Sequence, residues 1–343
     1  MRVAILGTGL IGSSIGLRLR SAPGPDGAPI EVVGFDRYTD VARQAQKIGA
    51  IGSSAYSPQE AVEGADLVIL ATPLLAIRKM MEEIAPVVGP NTVILDTGST
   101  KTAVLQWADE LFPTHTGFVG CHPMAGKTQT GPQAADADLF VGARWVVVPT
   151  VRSASRAVDA ATWLAGVLGA TSMFMDADEH DAYVAAISHM PMLAATAMFD
   201  MERLSDAWPE LSVLAAGGFR DTTRLTGTDA AMAFDIAVTN RDHIVHWLNR
   251  YIGSLIDMRE LLQADEQEET LFRRIAEASF EYQAFINGKV GRTDPREKVD
   301  TSPLSFTDFL TGEWMREKIQ EVTSATEYRR EQNERASRSQ RNV

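Results

Sequence analysis

His122 is the residue best placed to do chemistry. It sits in Gly120-Cys121-His122-Pro123-Met124-Ala125-Gly126, directly after an apolar stretch at 118–121 that reads as a β-strand. The proline after it ends the strand, so the imidazole projects past the strand end. An imidazole near its ordinary pKa can take a proton from an alcohol as hydride leaves. Ser99, in Asp96-Thr97-Gly98-Ser99-Thr100-Lys101, occupies a neighbouring strand end and is expected to orient that imidazole. Two further clusters fall in helical sequence: Ser188-His189-Met190-Pro191, and Gly217-Gly218-Phe219-Arg220-Asp221-Thr222-Thr223-Arg224. Cys121 adjoins His122, and strand neighbours point to opposite faces, which argues against a Cys–His nucleophile pair. His243 and His246 share a helix face, but only Asp242 stands near them, so no metal site is assigned. His115 reads as exposed, and His180, in Asp178-Glu179-His180-Asp181, as part of a capped, charged helix start.

The chain's other constellation is Gly7-Thr8-Gly9-Leu10-Ile11-Gly12, which matches G-x-G-x-x-G. The motif has meaning here because it follows a strand (2–6), opens a helix (10–20) and precedes an acidic residue at a strand end, Asp36. The glycines allow a tight turn and close backbone approach. The helix N-terminus offers free N–H groups to a pyrophosphate. The cofactor site is thus assigned to Gly7, Gly9, Leu10, Ile11 and Gly12. Asp36 serves the ribose hydroxyls, and Thr72 and Pro73 line the crevice from another strand end. The step from Gly12 to Asp36 is 24 residues, longer than the usual spacing because of a Pro/Gly loop at 21–29. A carboxylate at Asp36 repels a 2′-phosphate, so NAD is expected over NADP, with Arg37 softening the preference.

These residues need a scaffold, and the pattern supplies one. Strand-like runs at 2–6, 31–35, 66–71, 92–96, 118–121 and 145–149 are separated by helical runs at 10–20, 39–47, 75–84 and from 102. Alternation of this kind predicts an α/β fold: a Rossmann-type, doubly wound parallel sheet with helices on both faces. After about residue 176 the periodicity is almost wholly helical up to 287, with breakers at Pro191, Pro209 and Gly217-Gly218. The expected domains are 1–175 for nucleotide binding, 176–287 as an all-helical substrate and dimerisation domain, and 288–343 as a polar extension with a helix at 306–322 and a disordered end. Alanine- and methionine-rich faces such as 194–198 predict burial against a second subunit, hence a homodimer.

Composition excludes several classes. The chain has 343 residues, 32 Lys+Arg against 45 Asp+Glu, a net charge of −13, and 45% apolar residues. An acidic chain lacks the basic face that nucleic acid requires. One cysteine excludes a disulfide framework. The longest apolar stretch, 182–199, is broken by Ser188, His189 and Pro191, which argues for a packed helix over a membrane span. With no cleavage site after the N-terminal apolar run, a cytoplasmic protein is expected.

The motifs together resemble the prephenate/arogenate dehydrogenase family of tyrosine biosynthesis, over roughly residues 1–287. The family's D-x-G-S-x-K, H-P-M-A-G, S-H-x-P and F-x-D-x-T-R stand in order at Asp96–Lys101, His122–Gly126, Ser188–Pro191 and Phe219–Arg224, followed by Thr228, Asp229 and Asn240. The resemblance implies that His122 takes the proton of a cyclohexadienol C4 hydroxyl, that Ser99 holds both groups, that Arg224 binds a substrate carboxylate, and that His189 lines the pocket. It implies NAD-dependent oxidative decarboxylation, with prephenate as substrate and arogenate or another cyclohexadienyl acid as the alternative. Lys127 and Thr128 stand where the family usually has Ser or Thr and then Glu, and Met192 replaces a second histidine. A cation at Lys127 favours the keto acid over arogenate's ammonium. A β-hydroxyacid dehydrogenase is a further alternative, but no lysine occurs between Ala177 and Leu204 to serve it. A dinucleotide-sensing regulator is the non-enzymatic one, against which stand the retained His122 and Arg224.

Overall fold

The computed structural model describes residues 1–288, apart from 26, 113–116, 128 and 265–266. Two compact units divide the chain, Met1–Asn249 and a second beginning at Arg250. The first opens with β1 (Arg2–Leu6), α1 (Leu10–Ser21), β2 (Glu31–Phe35), α2 (Thr39–Lys47), β3 (Ser53–Ser54), α3 (Pro58–Val62), β4 (Leu67–Leu70) and α4 (Leu74–Ile84). It continues through β5 (Val93–Asp96), α5 (Thr102–Leu111), β6 (Phe118–Pro123), β7 (Arg144–Val148), α6 (Ser155–Val167) and β8 (Thr171–Phe174). These strands form one sheet in the order β3-β2-β1-β4-β5-β6-β7-β8.

Burial on both faces explains the unbroken apolar runs of the central strands. Val3 and Ile5 pack with Ile15 and Leu19 of α1 and with Ala161 and Leu164 of α6. Their neighbours Ala4 and Leu6 point the other way, into a core with Ile77 of α4 and Val104 of α5. The sheet departs from the all-parallel expectation at one place: β6 and β7 pair antiparallel, with His122 opposite Val146. The cause is the connection. Among the described residues of the 124–143 connection the helical structure is a single 3₁₀ turn, Pro132–Ala134, whereas a parallel return is usually made by an α-helix crossing the sheet face. The strand also runs on through His122 and Pro123, two residues past the expected end. The short polar β3 and the edge strand β8 carry no apolar alternation and were not foreseen.

The helical part begins with α7 (Ala177–Val184), a π-helical turn (Ala185–His189) and α8 (Met190–Arg203), which run on as one 27-residue helix. Asp176 caps its start, accepting from the N–H groups of Asp178 and Glu179. Pro191 explains the π turn: its ring crowds the preceding turn and it has no N–H to donate, so the helix widens just before it. This helix is long and apolar enough to cross a membrane. Its first half, however, buries His180, Asp181 and His189 among polar partners. Next come α9 (Trp208–Leu214), α10 (Gly217–Thr223), a 3₁₀ turn (Arg224–Gly227), α11 (Ala230–Thr239) and α12 (Arg241–Gln263).

Within the first unit, polar contacts fasten these helices to the sheet layer. Asp235 of α11 accepts from the Leu75 N–H at the start of α4 (3.1 Å). Thr100 bonds Thr239 (3.1 Å), and the Trp247 indole donates to the Ala182 carbonyl (3.1 Å). The helices' own apolar cluster is small: Ala185, Met192, Ile236 and Ile244. Large apolar side chains stay exposed, among them Met201 at 65%, Val213 at 83% and Phe234 at 61%. The described residues thus leave large apolar side chains of the helical layer exposed.

In the second unit the end of α12 meets α13 (Glu268–Ile286) through an Arg274–Ser254 hydrogen bond of 3.2 Å. Ala276 is buried, while Leu262, Phe285 and Ile286 are exposed. The polar extension and its expected helix at 306–322 lie outside the described residues, as does His115.

Candidate active site

The nucleotide end is built by β1 and α1. Gly7 has φ of +97°, which a side chain would strain, and a Cβ there would sit 2.5 Å from the Ala71 carbonyl oxygen. At Gly9 a Cβ would meet nothing within 4 Å, so the space in front of the helix is open. Gly9 accepts the first helical bond, from Ser13 N–H (3.0 Å). The N–H groups of Leu10, Ile11 and Gly12 thus have no partner within the helix. Gly12 makes the close crossing possible: a Cβ would lie 2.0 Å from the Gly7 carbonyl oxygen. Gly12→Ala is accordingly expected to cost about 1–3 kcal/mol by overpacking against rigid backbone. A lowered Tm together with weakened dinucleotide binding checks it.

Asp36 follows β2. One carboxylate oxygen accepts the Thr8 N–H (3.0 Å) and the other the Tyr38 N–H (3.0 Å). The Thr8 hydroxyl also donates to the first oxygen (3.4 Å), while the second keeps a further lone pair, so the carboxylate is held in place and can still accept a ribose hydroxyl. Arg37 lies over the Tyr38 ring, 4.4 Å from its centre. Thr72 stands beside Gly7, and its hydroxyl is buried without a hydrogen-bond partner. Pro73 precedes α4. An open helix N-terminus, an anchored acid and an unpartnered hydroxyl around one strand end fit a dinucleotide.

The second centre lies at the end of β6, on the same side of the sheet, since β1, β4, β5 and β6 are parallel neighbours. Ligands gather outside the carboxyl ends of such strands. Half-buried His122 meets an unexpected partner there: its Nδ1 lies 2.9 Å from His180 Nε2, the rings edge to face. His180 is not the surface residue its sequence context suggests. It is 0% exposed, and its Nδ1 lies 2.8 Å from Asp181 Oδ1. Asp181 in turn sits at the N-terminus of α5, accepting from Lys101 N–H (2.7 Å) and Thr102 N–H (2.9 Å). Burial alone would raise the Asp181 pKa, but the hydrogen bonds from His180, Thr102 and Lys101 outweigh it and hold the carboxyl below its ordinary range.

Burial, with His180, Lys101 and His189 adding to it, pushes the His122 pKa well below 6.5. His122 is therefore neutral at physiological pH. His189 is buried as well, and desolvation brings its pKa down to about 4, against an opposing pull from Asp181. Asn240 donates to the Asp181 carbonyl (2.8 Å) and lies 3.1 Å from His189 Nδ1, tying both to α11. Beneath them Lys101, fully buried, donates to Asp96 and to the Cys121 carbonyl (2.6 Å). Asp96 also accepts from Gly98 N–H (2.7 Å) and Cys121 N–H (3.0 Å). The strand end that presents His122 is thus held through both the carbonyl and the amide of Cys121. Desolvation raises the Cys121 thiol to about 12, so it is no nucleophile.

Ser99 is half-buried at the end of β5, but the described hydrogen bond of His122 goes to His180. Arg224 is exposed, in the 3₁₀ turn packed along α8, and has no hydrogen-bond or ionic partner among the described residues. Lys127 pairs with Asp136 at 2.9 Å, so a substrate carboxylate would have to compete for it. Thr128 lies outside the described residues. His243 pairs with Asp178 (3.0 Å), and no group of three metal-ligating residues occurs among the described residues. Sequence reasoning missed His180, Asp181 and the role of Lys101.

A nucleotide-binding α/β layer, a neutral strand-end histidine and a helical layer supplying polar side chains beside it define a dehydrogenase with a separate helical domain. Comparison makes this specific. Residues 19–173 match the nucleotide-binding domain of prephenate dehydrogenase, and residues 176–277 its dimerization domain. A prephenate dehydrogenase of Bacillus subtilis is 34% identical over 274 residues, 79% of this chain and 72% of that one. The crystal structure of Synechocystis arogenate dehydrogenase superposes with a TM-score of 0.70 at 26% identity, over 83% of this chain and all of that one. A prephenate dehydrogenase from A. aeolicus shares the fold at 24% identity, with a TM-score of 0.76 over 83% of this chain and 98% of that one. The chain belongs to the prephenate dehydrogenase family, and its alternative reading as a β-hydroxyacid dehydrogenase falls away.

Proposed function

We propose that this protein catalyses NAD-dependent oxidative decarboxylation of prephenate to 4-hydroxyphenylpyruvate. The observation that carries the reading is His122: neutral, at a strand end beside the dinucleotide site, with one ring nitrogen engaged by protein. The other nitrogen is left for the C4 hydroxyl of the substrate. NAD, when bound, supplies the hydride acceptor for the hydrogen on C4. His122 takes the hydroxyl proton as that hydride departs. The electron pair of the bond to the ring carboxylate then closes the aromatic sextet, CO2 leaves, and the oxygen at C4 recovers a proton as a phenol. Ser99, at the adjacent strand end, holds the hydroxyl, and His189 lines the pocket in its neutral form.

Arg224 is the proposed carboxylate clamp, because it is a guanidinium without a partner among the described residues, carried on the flank of the helix that begins beside His189. Arg224→Gln removes a bidentate, charge-assisted pair. The KM for substrate is expected to rise about 10–100-fold, with dinucleotide affinity unchanged. An unaltered KM refutes the role.

A second reading, arogenate, draws on one observation. Asp136 answers the charge of Lys127, so this edge of the site does not repel an ammonium group as a free lysine would. The Asp36 carboxylate favours NAD over NADP. Together with the dimerization-domain match, the uncovered helical faces support a homodimer, and we place the enzyme in the cytoplasm. The test is the purified protein with NAD or NADP against prephenate and arogenate, followed by absorbance of the reduced nicotinamide. No turnover with either acid overturns the proposal.

A further inference from the structure

Asp181, His180 and His122 stand in a row, from the N-terminus of α5 to the carboxyl end of β6. The two links are 2.8 Å and 2.9 Å long. An ionised carboxylate only accepts, so the proton of the first link belongs to His180 Nδ1. His180 Nε2 then carries a lone pair, and the proton of the second link belongs to His122 Nδ1. What remains on His122 is an unprotonated Nε2. That is the state a base needs.

We propose that His180 is a positioning residue for the reaction: held by Asp181, it fixes His122 as the Nδ1–H tautomer and keeps the Nε2 lone pair facing the substrate hydroxyl. The inference rests on the reading of His122 as proton acceptor. Left to itself in water, a neutral imidazole prefers its proton on Nε2, which would turn the lone pair away from the substrate. The row also serves the step that follows. Once Nε2 has taken the proton, the imidazolium still donates through Nδ1 to His180, and the Asp181 carboxylate stabilises the charge through that ring without a second transfer.

The alternative is a packing role, and the surroundings argue against it. Two imidazoles and a carboxylate brought out of water are costly, and apolar residues of like volume would fill the same space at lower cost. Among the described residues, the other titratable groups beside the row are already engaged. Lys101 is bound to Asp96 and the Cys121 carbonyl, and His189 is bound to Asn240. Among the described residues, the hydrogen-bond partner of the His122 ring is His180.

Histidine-¹⁵N NMR of the full chain without ligand, at about pH 8 where free imidazole is neutral, reads the tautomer without reference to activity. The expected parent spectrum shows His122 protonated at Nδ1. His180→Leu should shift it toward Nε2–H and lower kcat about 10²-fold, with the KM for dinucleotide within about twofold. In His180→Gln the amide oxygen can accept from His122 and the amide nitrogen can donate to Asp181. This variant should restore the Nδ1–H tautomer and bring kcat within about tenfold of the parent. A parent spectrum with Nε2–H, or a glutamine variant as impaired as the leucine one, overturns the proposal. Should His122 itself prove dispensable for turnover, the functional reading fails, while the tautomer measurement still judges the row on its own.

Discussion

Replacing His122 with asparagine should cut turnover about 10²–10⁴-fold while dinucleotide affinity stays within about twofold. Asparagine is the informative substitution because its amide nitrogen can stand where Nδ1 stands and still donate to His180. The strand end, the lock beneath it and the row behind it are then retained, and only the basic nitrogen is lost. Stopped-flow measurement of hydride transfer, with separate titration of the dinucleotide, distinguishes a lost base from a lost site. Turnover within threefold of the parent, on the order of 0.7 kcal/mol in barrier, removes His122 from the mechanism.

The acid limb of the parent's kcat/KM profile follows from the same residue. Burial holds the His122 pKa well below 6.5, so activity should persist on the acid side beyond the point where an exposed histidine would be protonated. Stability moves the other way. Above about 6.5 both His122 and His189 are neutral in folded and unfolded chains. As pH falls through that value, the unfolded chain takes up protons that the native site refuses, so stability declines. For His189 the decline ends near its folded pKa of about 4.

The nucleotide end was legible because everything that makes it is local. A turn, a helix start and an acid fall within one strand-helix-strand unit, and each residue's type states its role. His122 was legible for a similar reason, as a polar residue placed by a proline at the end of an apolar strand. His180 and Asp181 were not. Their run of acids reads as a solvated helix start, and what buries them is the docking of α7 on the N-terminus of α5. The contact between Asp181 and Lys101 joins residues 80 apart. One signal was available: Asp181 and His189 stand eight residues apart, two steps of four, so two polar groups fall on one face of an otherwise apolar helix. The reversal of β7 depended on what the 124–143 connection lacks. The described helical residues leave large apolar side chains such as Met201 and Phe234 exposed, which the alanine- and methionine-rich sequence had suggested without saying what would cover them.

The strand end carrying His122 depends on a buried charge pair, and the second large effect is expected there. Lys101 and Asp96 are both 0% exposed. Lys101 spans from the start of α5 to the carbonyl of Cys121, and Asp96 from the end of β5 to the amide of the same residue. Lys101→Met keeps the length of the side chain and removes its charge. Asp96 then faces the interior with two backbone N–H groups and no cation, so a loss of about 3–5 kcal/mol is expected. Urea unfolding should show it as a lowered midpoint with an unchanged slope. High salt should not mimic the effect, because the pair is out of reach of screening ions. Adding Asp96→Asn removes the orphaned charge and should recover part of the loss, although the amide nitrogen turns one acceptor into a donor beside Gly98. A single variant that loses less than about 1 kcal/mol would show that the pair is not what holds this strand end. If the loss is as large as expected and falls together with kcat, the proton acceptor and the lock beneath it belong to one cooperative structure, in which the position of His122 is set by a charge that never touches the substrate.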